Sequence, residues 1–362
     1  MRARVTAAFL LTLALAVRSA SAQAPPQAAQ AAPDLPRVRL VATGGTISNR
    51  SGGRLTAEEL IASMPALSRY ARAEHEQFSN TSSSALSLEQ WLALAKRINQ
   101  LYKEDPGLAG IVVTSGTDTL EELAYFLNLT VRSDKPVAVV GSMRNPSTLG
   151  YEGAANLLEG FRVAASPAAR GRGVMVVLND EINAAREATK TDALRLDTFQ
   201  TRGYGILGVV DSDRVVFYRK VEKKHTAQSE FDVNAIASLP RVDVVLTYQG
   251  APGDLIKAAV DNGAKGIVIA TAGAGASSGT QGDGITYALE KGVFVVTTTR
   301  AGSGRIAGRP RVVNPAAGGT PNPRDRAIAG EDLAPVKARI LLMLALATTQ
   351  NPAEIQRMFL EY

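Results

Sequence analysis

The chain has 362 residues, no cysteine and two histidines, with 40 Lys and Arg against 34 Asp and Glu. Disulfides, cysteine-ligated zinc, iron–sulfur clusters and thiol nucleophiles are thereby excluded, and imidazole chemistry is confined to His75 and His225. At 45% hydrophobic and 20% charged residues, with 32 Gly, the composition is that of a globular protein with enough chain for two cores and many tight turns.

Arg2 and Arg4 precede an apolar run at 5–17, which ends in the small residues Ala20-Ser21-Ala22. That pattern predicts a secretory signal, residues 1–22, cleaved after Ala22, and a periplasmic or secreted mature protein. The run is shorter than the ~20 residues of a spanning helix, so no stable membrane insertion is expected. Removing Arg2, Arg4 and Arg18 with the signal halves the formal charge of +6, and no nucleic-acid partner is implied. Residues 23–36 are Ala, Pro and Gln without apolar periodicity and read as a tether.

From Arg37 onward, short apolar runs at 38–42, 110–113, 136–141 and 174–178 read as buried parallel strands. Between them Trp91, Leu94, Ile98 and Leu101 share one helical face, as do Leu120, Leu123, Ala124 and Leu127. The rhythm predicts a three-layer α/β domain with a parallel sheet over 37–218. Residues 219–240 are charged and polar and read as an inter-domain linker, with His225 in a structural role. A second α/β series fills 241–362, with strands near 242–248, 266–270 and 293–298 and helices at 334–348 and 353–360. The predicted fold class is therefore α/β, two three-layer domains with mainly parallel sheets. His75, between Glu74 and Glu76, reads as solvated, and neither histidine adjoins a motif serine, which disfavours a Ser–His hydrolase.

Ligands of open parallel sheets bind beyond the carboxyl ends of the strands, so polar residues just after strands matter most. The first such turn is V-A-T-G-G-T-I, where two glycines allow a tight turn ahead of Thr46. It lacks the Lys and the further glycines of a phosphate loop. The second is T-S-G-T-D-T-L-E-E, with Ser115, Thr117, Asp118 and Thr119 ahead of a helix. Helix capping would use one of these residues, and four are more than a cap requires. A third segment, A-T-K-T, carries Lys190 between two threonines and would alone read as surface.

In order and spacing, these three motifs together resemble the bacterial L-asparaginase and glutaminase-asparaginase family of the type II, exported kind. The resemblance covers nearly all of the chain after residue 36 and includes D-K-P-V-A-V-V-G-S-M-R at 134–144, Y-E-G-A-A-N-L-L at 151–158, K-K-H-T at 223–226 and P-V-K-A-R-I-L-L-M-L-A-L at 335–346. It implies a cofactor-free amidohydrolase that converts L-asparagine to L-aspartate and ammonia, with L-glutamine as a side substrate. It places Thr46 as the nucleophile of an acyl-enzyme and Thr117, Asp118 and Lys190 as its activating relay. It further assigns the substrate α-carboxylate to Ser83 and its neighbour Ser84, the α-ammonium to Asp118, and oxyanion stabilisation to backbone amides near Thr117 and at the turn Gly141-Ser142-Met143. A homotetramer is implied as the assembly.

Three departures from the family's pattern bear on activity. The segment after Thr46, I-S-N-R-S-G-G-R-L-T-A-E-E-L, is short and has Arg50 and Arg54 but no Tyr, whereas the family commonly carries a lid tyrosine there. Ala274 stands where many members have an Asn reaching a neighbouring subunit, and no glutamate counterpart is evident in 304–313. Ser84 and Ala85 replace longer polar residues, whereas Ser115, in place of a frequent His, is expected to be tolerated. An altered turnover is expected, and two rivals stay open: an amidase for a larger or peptide-like amide, and a periplasmic amino-acid binding protein without turnover.

Overall fold

In the computed structural model, which describes residues 34–308 and 326–362, eight strands form one sheet and four form another. The predicted signal and all but the end of the tether lie outside the described residues. The larger sheet runs, edge to edge, Val215–Phe217, Gly208–Val210, Glu181–Ala184, Val174–Leu178, Val137–Val140, Leu108–Thr114, Arg37–Gly44 and Arg72–Thr81. The five strands at the Arg72–Thr81 end are mutually parallel, and the other three are added antiparallel. The smaller sheet, Val242–Leu246, Gly266–Thr271, Phe294–Thr299 and Ile328–Ala329, is parallel throughout.

The apolar runs form the central strands because strands covered on both faces have no polar side to present. Val38, Leu40, Ile111, Val112, Val137 and Val139 are all fully buried. The strand Arg72–Thr81 has no such signal, since R-A-E-H-E-Q-F-S-N-T is mostly polar. It forms at the sheet edge, where one side needs no cover and charges discourage pairing with another chain. Its carboxylates meet cations from neighbouring elements: Glu74 pairs with Arg37 and Arg39, and Glu76 with Arg97. His75 on this strand is exposed, as expected from its acidic neighbours.

Two helices carry the core between the sheets. Leu120–Thr130 is buried at ten positions, and Pro335–Thr348, apolar on nearly every side, packs against it and against the smaller sheet. A helix apolar all round belongs inside a protein, and its one lysine, Lys337, is therefore conspicuous. The other face of the large sheet is covered in part by Gly153–Ala165, whose Leu157, Phe161, Val163 and Ala164 are fully buried. Trp91 and Leu94 lie on Leu88–Glu104, which starts at a Ser87–Gln90 capping box. His225 is buried, its pKa is lowered by that burial, and its Nδ1 lies 2.9 Å from the Thr226 hydroxyl.

The antiparallel extension begins at a two-residue turn, Asn179-Asp180, both with positive φ, the backbone a tight hairpin requires and one that Asn and Asp tolerate. The helix Gly153–Ala165 holds this turn: Asn179 N–H donates to Asn156 at 3.0 Å and Asp180 N–H to the Glu159 carboxyl at 3.2 Å. Burial, and then Asp180, push the Glu159 carboxyl up from 4.5 to about 8. Between those values the folded chain holds a proton on Glu159 that the unfolded chain has released, so the contribution of Glu159 to folding stability falls as pH rises from 4.5 to about 8. Glu159→Gln is expected to stabilise the protein by about 1–3 kcal/mol at the alkaline end and to flatten that slope. Melting temperatures of both proteins across this range check it, and parallel pH curves would refute it.

Candidate active site

Strand register brings the predicted site together. Gly44 lies opposite Thr81, Ala42 opposite Thr114, and Thr114 opposite Val140. Four segments thus leave the same carboxyl edge of parallel strands: Gly45-Thr46, Ser82-Ser83, Ser115 to Asp118, and Gly141-Ser142. The chain leaves Arg37–Gly44 for one side of that strand and continues from Leu108–Thr114 on its other side. The crevice between these two strands is where an open α/β sheet accommodates a ligand.

Glycines let these segments touch backbone to backbone. A Cβ on Gly45 would lie 2.3 Å from the Gly116 nitrogen, one on Gly44 2.4 Å from the Thr81 carbonyl oxygen, and one on Gly116 2.8 Å from Ser83 Oγ. Gly44 and Gly45 also have φ of 106° and 91°, conformations that favour glycine. Thr46 and Thr117 each follow directly from the Gly45–Gly116 contact. Further bonds fix the crevice: Thr43 Oγ1 donates to the Thr114 carbonyl at 2.6 Å, and Gly45 N–H to the Thr81 carbonyl at 2.8 Å.

Thr119 occupies the position before the helix Leu120–Thr130 but makes no side-chain cap. Capping therefore does not account for the polar run. Its members Thr117 and Asp118 meet Lys190 instead, whose Nζ donates to Thr117 Oγ1 at 3.1 Å and to Asp118 Oδ1 at 2.8 Å. Thr117 is buried, the Lys190 side chain is 15% exposed and that of Asp118 is 77% exposed, so these bonds run from the interior toward the surface. Lys190 arrives on a short antiparallel ladder, Thr189–Lys190 against Phe199–Gln200.

The remaining predicted residues fall into different settings. Ser83 is buried against Gly116, whereas Ser84 is exposed and its hydroxyl donates to Ser82 Oγ at 3.4 Å. Ser142 is fully buried and its hydroxyl donates to the Arg144 carbonyl at 2.6 Å; the Met143 N–H in the same turn is taken by Glu152. Ala274 is exposed in its loop, and residues 309–313, the end of the segment searched for a glutamate counterpart, lie outside the described residues.

Two supporting groups lie in the quoted motifs without an assigned role there. Glu121 accepts the backbone N–H of Lys190 at 3.1 Å, and its other carboxyl oxygen lies 3.8 Å from Lys337 Nζ. Lys337 is 1% exposed and also donates to the carbonyls of Arg186 and Ala188, which lead into the Lys190 strand. Burial pushes its pKa down to about 8, opposed by Glu121. A lysine at a buried position in the first turn of a largely apolar helix was the available clue. Beside it Arg186 forms a bidentate pair with Asp332 at 2.7 and 2.8 Å, joining a strand-end of the large sheet to the helix-start beyond the small one. Burial would raise the Asp332 carboxyl, but Arg186 and the Tyr204 hydroxyl hold it well below the usual carboxylate range.

Comparison with known proteins agrees with this architecture. Residues 37–223 match the family model "Asparaginase, N-terminal", and 241–359 match "Glutaminase/Asparaginase C-terminal domain". The chain is 43% identical to L-asparaginase 2 of Bacillus subtilis, covering 91% of this chain and 87% of that one. It is 36% identical to glutaminase-asparaginase of Pseudomonas fluorescens, covering 91% of each. The crystal structure of a probable cytoplasmic L-asparaginase from Campylobacter jejuni superposes with a TM-score of 0.83 at 40% identity, over 90% of this chain and all of the other. On both domain matches and on these identities, the chain belongs to the asparaginase and glutaminase-asparaginase family.

Proposed function

We propose that the protein hydrolyses L-asparagine to L-aspartate and ammonia, with L-glutamine as a slower substrate. The observation that carries this reading is Lys190 Nζ bonded at once to Thr117 and Asp118, on the turn whose Gly116 meets Gly45, the residue before Thr46. A threonine hydroxyl is a weak nucleophile at neutral pH and needs a base within hydrogen-bond reach. In the reaction, Thr46 Oγ attacks the side-chain amide carbon and its proton passes by way of Thr117 and Lys190 to the amide nitrogen. The C–N bond breaks, ammonia leaves and an ester to Thr46 remains. Water, deprotonated through the same relay, opens the ester to the carboxylic acid and restores the Thr46 hydroxyl. Asp118 balances the charge of Lys190 and, being largely exposed, has free capacity for the substrate ammonium. Ser83, packed on Gly116, is positioned for the α-carboxylate, with the exposed Ser84 beside it; Ser142, fully buried with its hydroxyl given to the Arg144 carbonyl, has no donor left for the substrate.

An exported homotetramer remains our reading of location and assembly. Supporting the assembly, Val244, Leu246 and Tyr248 are exposed along and just beyond the edge strand Val242–Leu246, an apolar row of the kind a second copy covers. Among the described residues no helix is long and apolar enough to cross a membrane. A second reading, an amidase for larger amides, is favoured by the exposed, two-stranded hairpin that is all that follows Thr46 before the next helix. Purified protein should release ammonia from millimolar L-asparagine faster than from L-glutamine or a peptide-linked amide. Binding of asparagine by calorimetry without ammonia release would overturn the enzymatic reading, and sedimentation tests the tetramer.

A further inference from the structure

The segment after Thr46 contains no tyrosine, yet a tyrosine reaches it from elsewhere. Tyr151 Oη donates to the Ile47 carbonyl at 2.8 Å. On the other side of Thr46, Arg54 Nη1 donates to the Gly45 carbonyl at 3.3 Å. The carbonyls of the two residues that flank Thr46 are thus each held by a side chain from a separate segment, while the carbonyl of Thr46 itself accepts from Asn49 N–H. Ser48 adds a local bond, its hydroxyl donating to the Gly45 carbonyl at 3.1 Å.

Both donors are themselves fixed. Arg54 ends the hairpin formed by Asn49–Arg50 and Gly53–Arg54, which is tied back by Leu55 N–H to the Ser48 carbonyl at 2.7 Å. Its guanidinium is half-buried, and among the described residues no carboxylate pairs with it. Tyr151 lies in the loop between Val137–Val140 and Gly153–Ala165, and that loop grips the hairpin through Ser51 N–H to Ser147 Oγ at 2.9 Å. Gly153 leaves room for the Tyr151 ring, since a Cβ there would come within 2.4 Å of it. Burial raises the pKa of the Tyr151 phenol, which stays a donor.

We propose that Arg54 and Tyr151 are positioning residues for Thr46, holding the carbonyls of the residues before and after it so that its hydroxyl points at the substrate carbon. This rests on the reading of Thr46 as nucleophile. A β-branched residue has few side-chain rotamers, so the direction of its hydroxyl follows its backbone. Loosening either flanking carbonyl lets that direction drift, and a displacement of about 1 Å can cost ~100-fold in rate.

Tyr151→Phe removes one donor and keeps the ring, Arg54→Met removes the other, and Arg54→Lys keeps a donor. The expected result is kcat lowered about tenfold in Tyr151→Phe and in Arg54→Met, KM within twofold of wild type, and substantial recovery in Arg54→Lys. Hydrogen exchange of the 45–48 backbone amides reads the clamp without substrate, and both loss variants should exchange faster than wild type. Unchanged exchange overturns the clamp. Faster exchange with unchanged kcat, or a raised KM at constant kcat, overturns its role in aiming Thr46. If wild type releases no ammonia from asparagine or glutamine, the aiming role falls with the nucleophile reading, and hydrogen exchange alone decides the clamp.

Discussion

Lys190→Met is expected to lower ammonia release from asparagine about 1,000-fold while shifting folding stability by no more than about 1 kcal/mol. The two halves of this expectation come from the same geometry. Lys190 Nζ lies 3.1 Å from the Thr117 hydroxyl, so its loss leaves the relay without a group to exchange a proton with that hydroxyl. The Asp118 carboxylate it abandons is 77% exposed and stays hydrated, and an ion pair with one solvated partner contributes little to stability. The lysine stem is replaced by a side chain of similar length, so packing of the 15%-exposed lysine side chain is largely kept. Thr46→Ala should abolish release altogether, because the ester has no oxygen on which to form. Steady-state ammonia assays and thermal melts on the three proteins decide the matter. A Lys190→Met enzyme with more than a tenth of wild-type kcat would remove Lys190 from the relay, and an unfolded one would make it structural.

Much of this site can be read from residue order, because the topology is simple. Strands buried on both faces announce themselves as apolar runs, and in a parallel sheet the turns that follow them must share one edge. The turns at Thr46 and Thr117 could therefore be placed near each other before any coordinate was known. What could not be read depends on pairs far apart in the chain. The strand Arg72–Thr81 has no apolar signature, since its partners are Arg37, Arg39 and Arg97, and the edge position that allows those charges is a property of the finished sheet. The same holds for Glu121 and Lys337, more than two hundred residues apart, which converge behind Lys190. Tyr151 is the sharpest case. Scanning the residues next to Thr46 for a tyrosine finds none, whereas the fold delivers one from the loop after the next-but-one central strand.

The Gly45–Gly116 contact gives the second large expected effect. A methyl group on Gly45 would lie 2.3 Å from the Gly116 nitrogen and 2.5 Å from its Cα, far inside van der Waals contact. Those atoms are backbone, so no flexible side chain can swing aside, and either the first turn or the second must move. Gly45→Ala also forces φ of 91° on an L-residue. Overpacking and left-handed strain each cost about 1–3 kcal/mol, so about 2–6 kcal/mol together is a large part of the stability of an ordinary domain. Even protein that folds should be nearly inactive, because the displaced turns carry Thr46 and Thr117. Gly52→Ala separates the two contributions: its φ is 82°, yet a Cβ there meets nothing within 4 Å. That variant should lose only the strain, about 1 kcal/mol, and keep most of its ammonia release. Equal losses in the two variants would mean that conformation alone matters at Gly45, and wild-type activity in Gly45→Ala would mean that the two turns need not meet for catalysis.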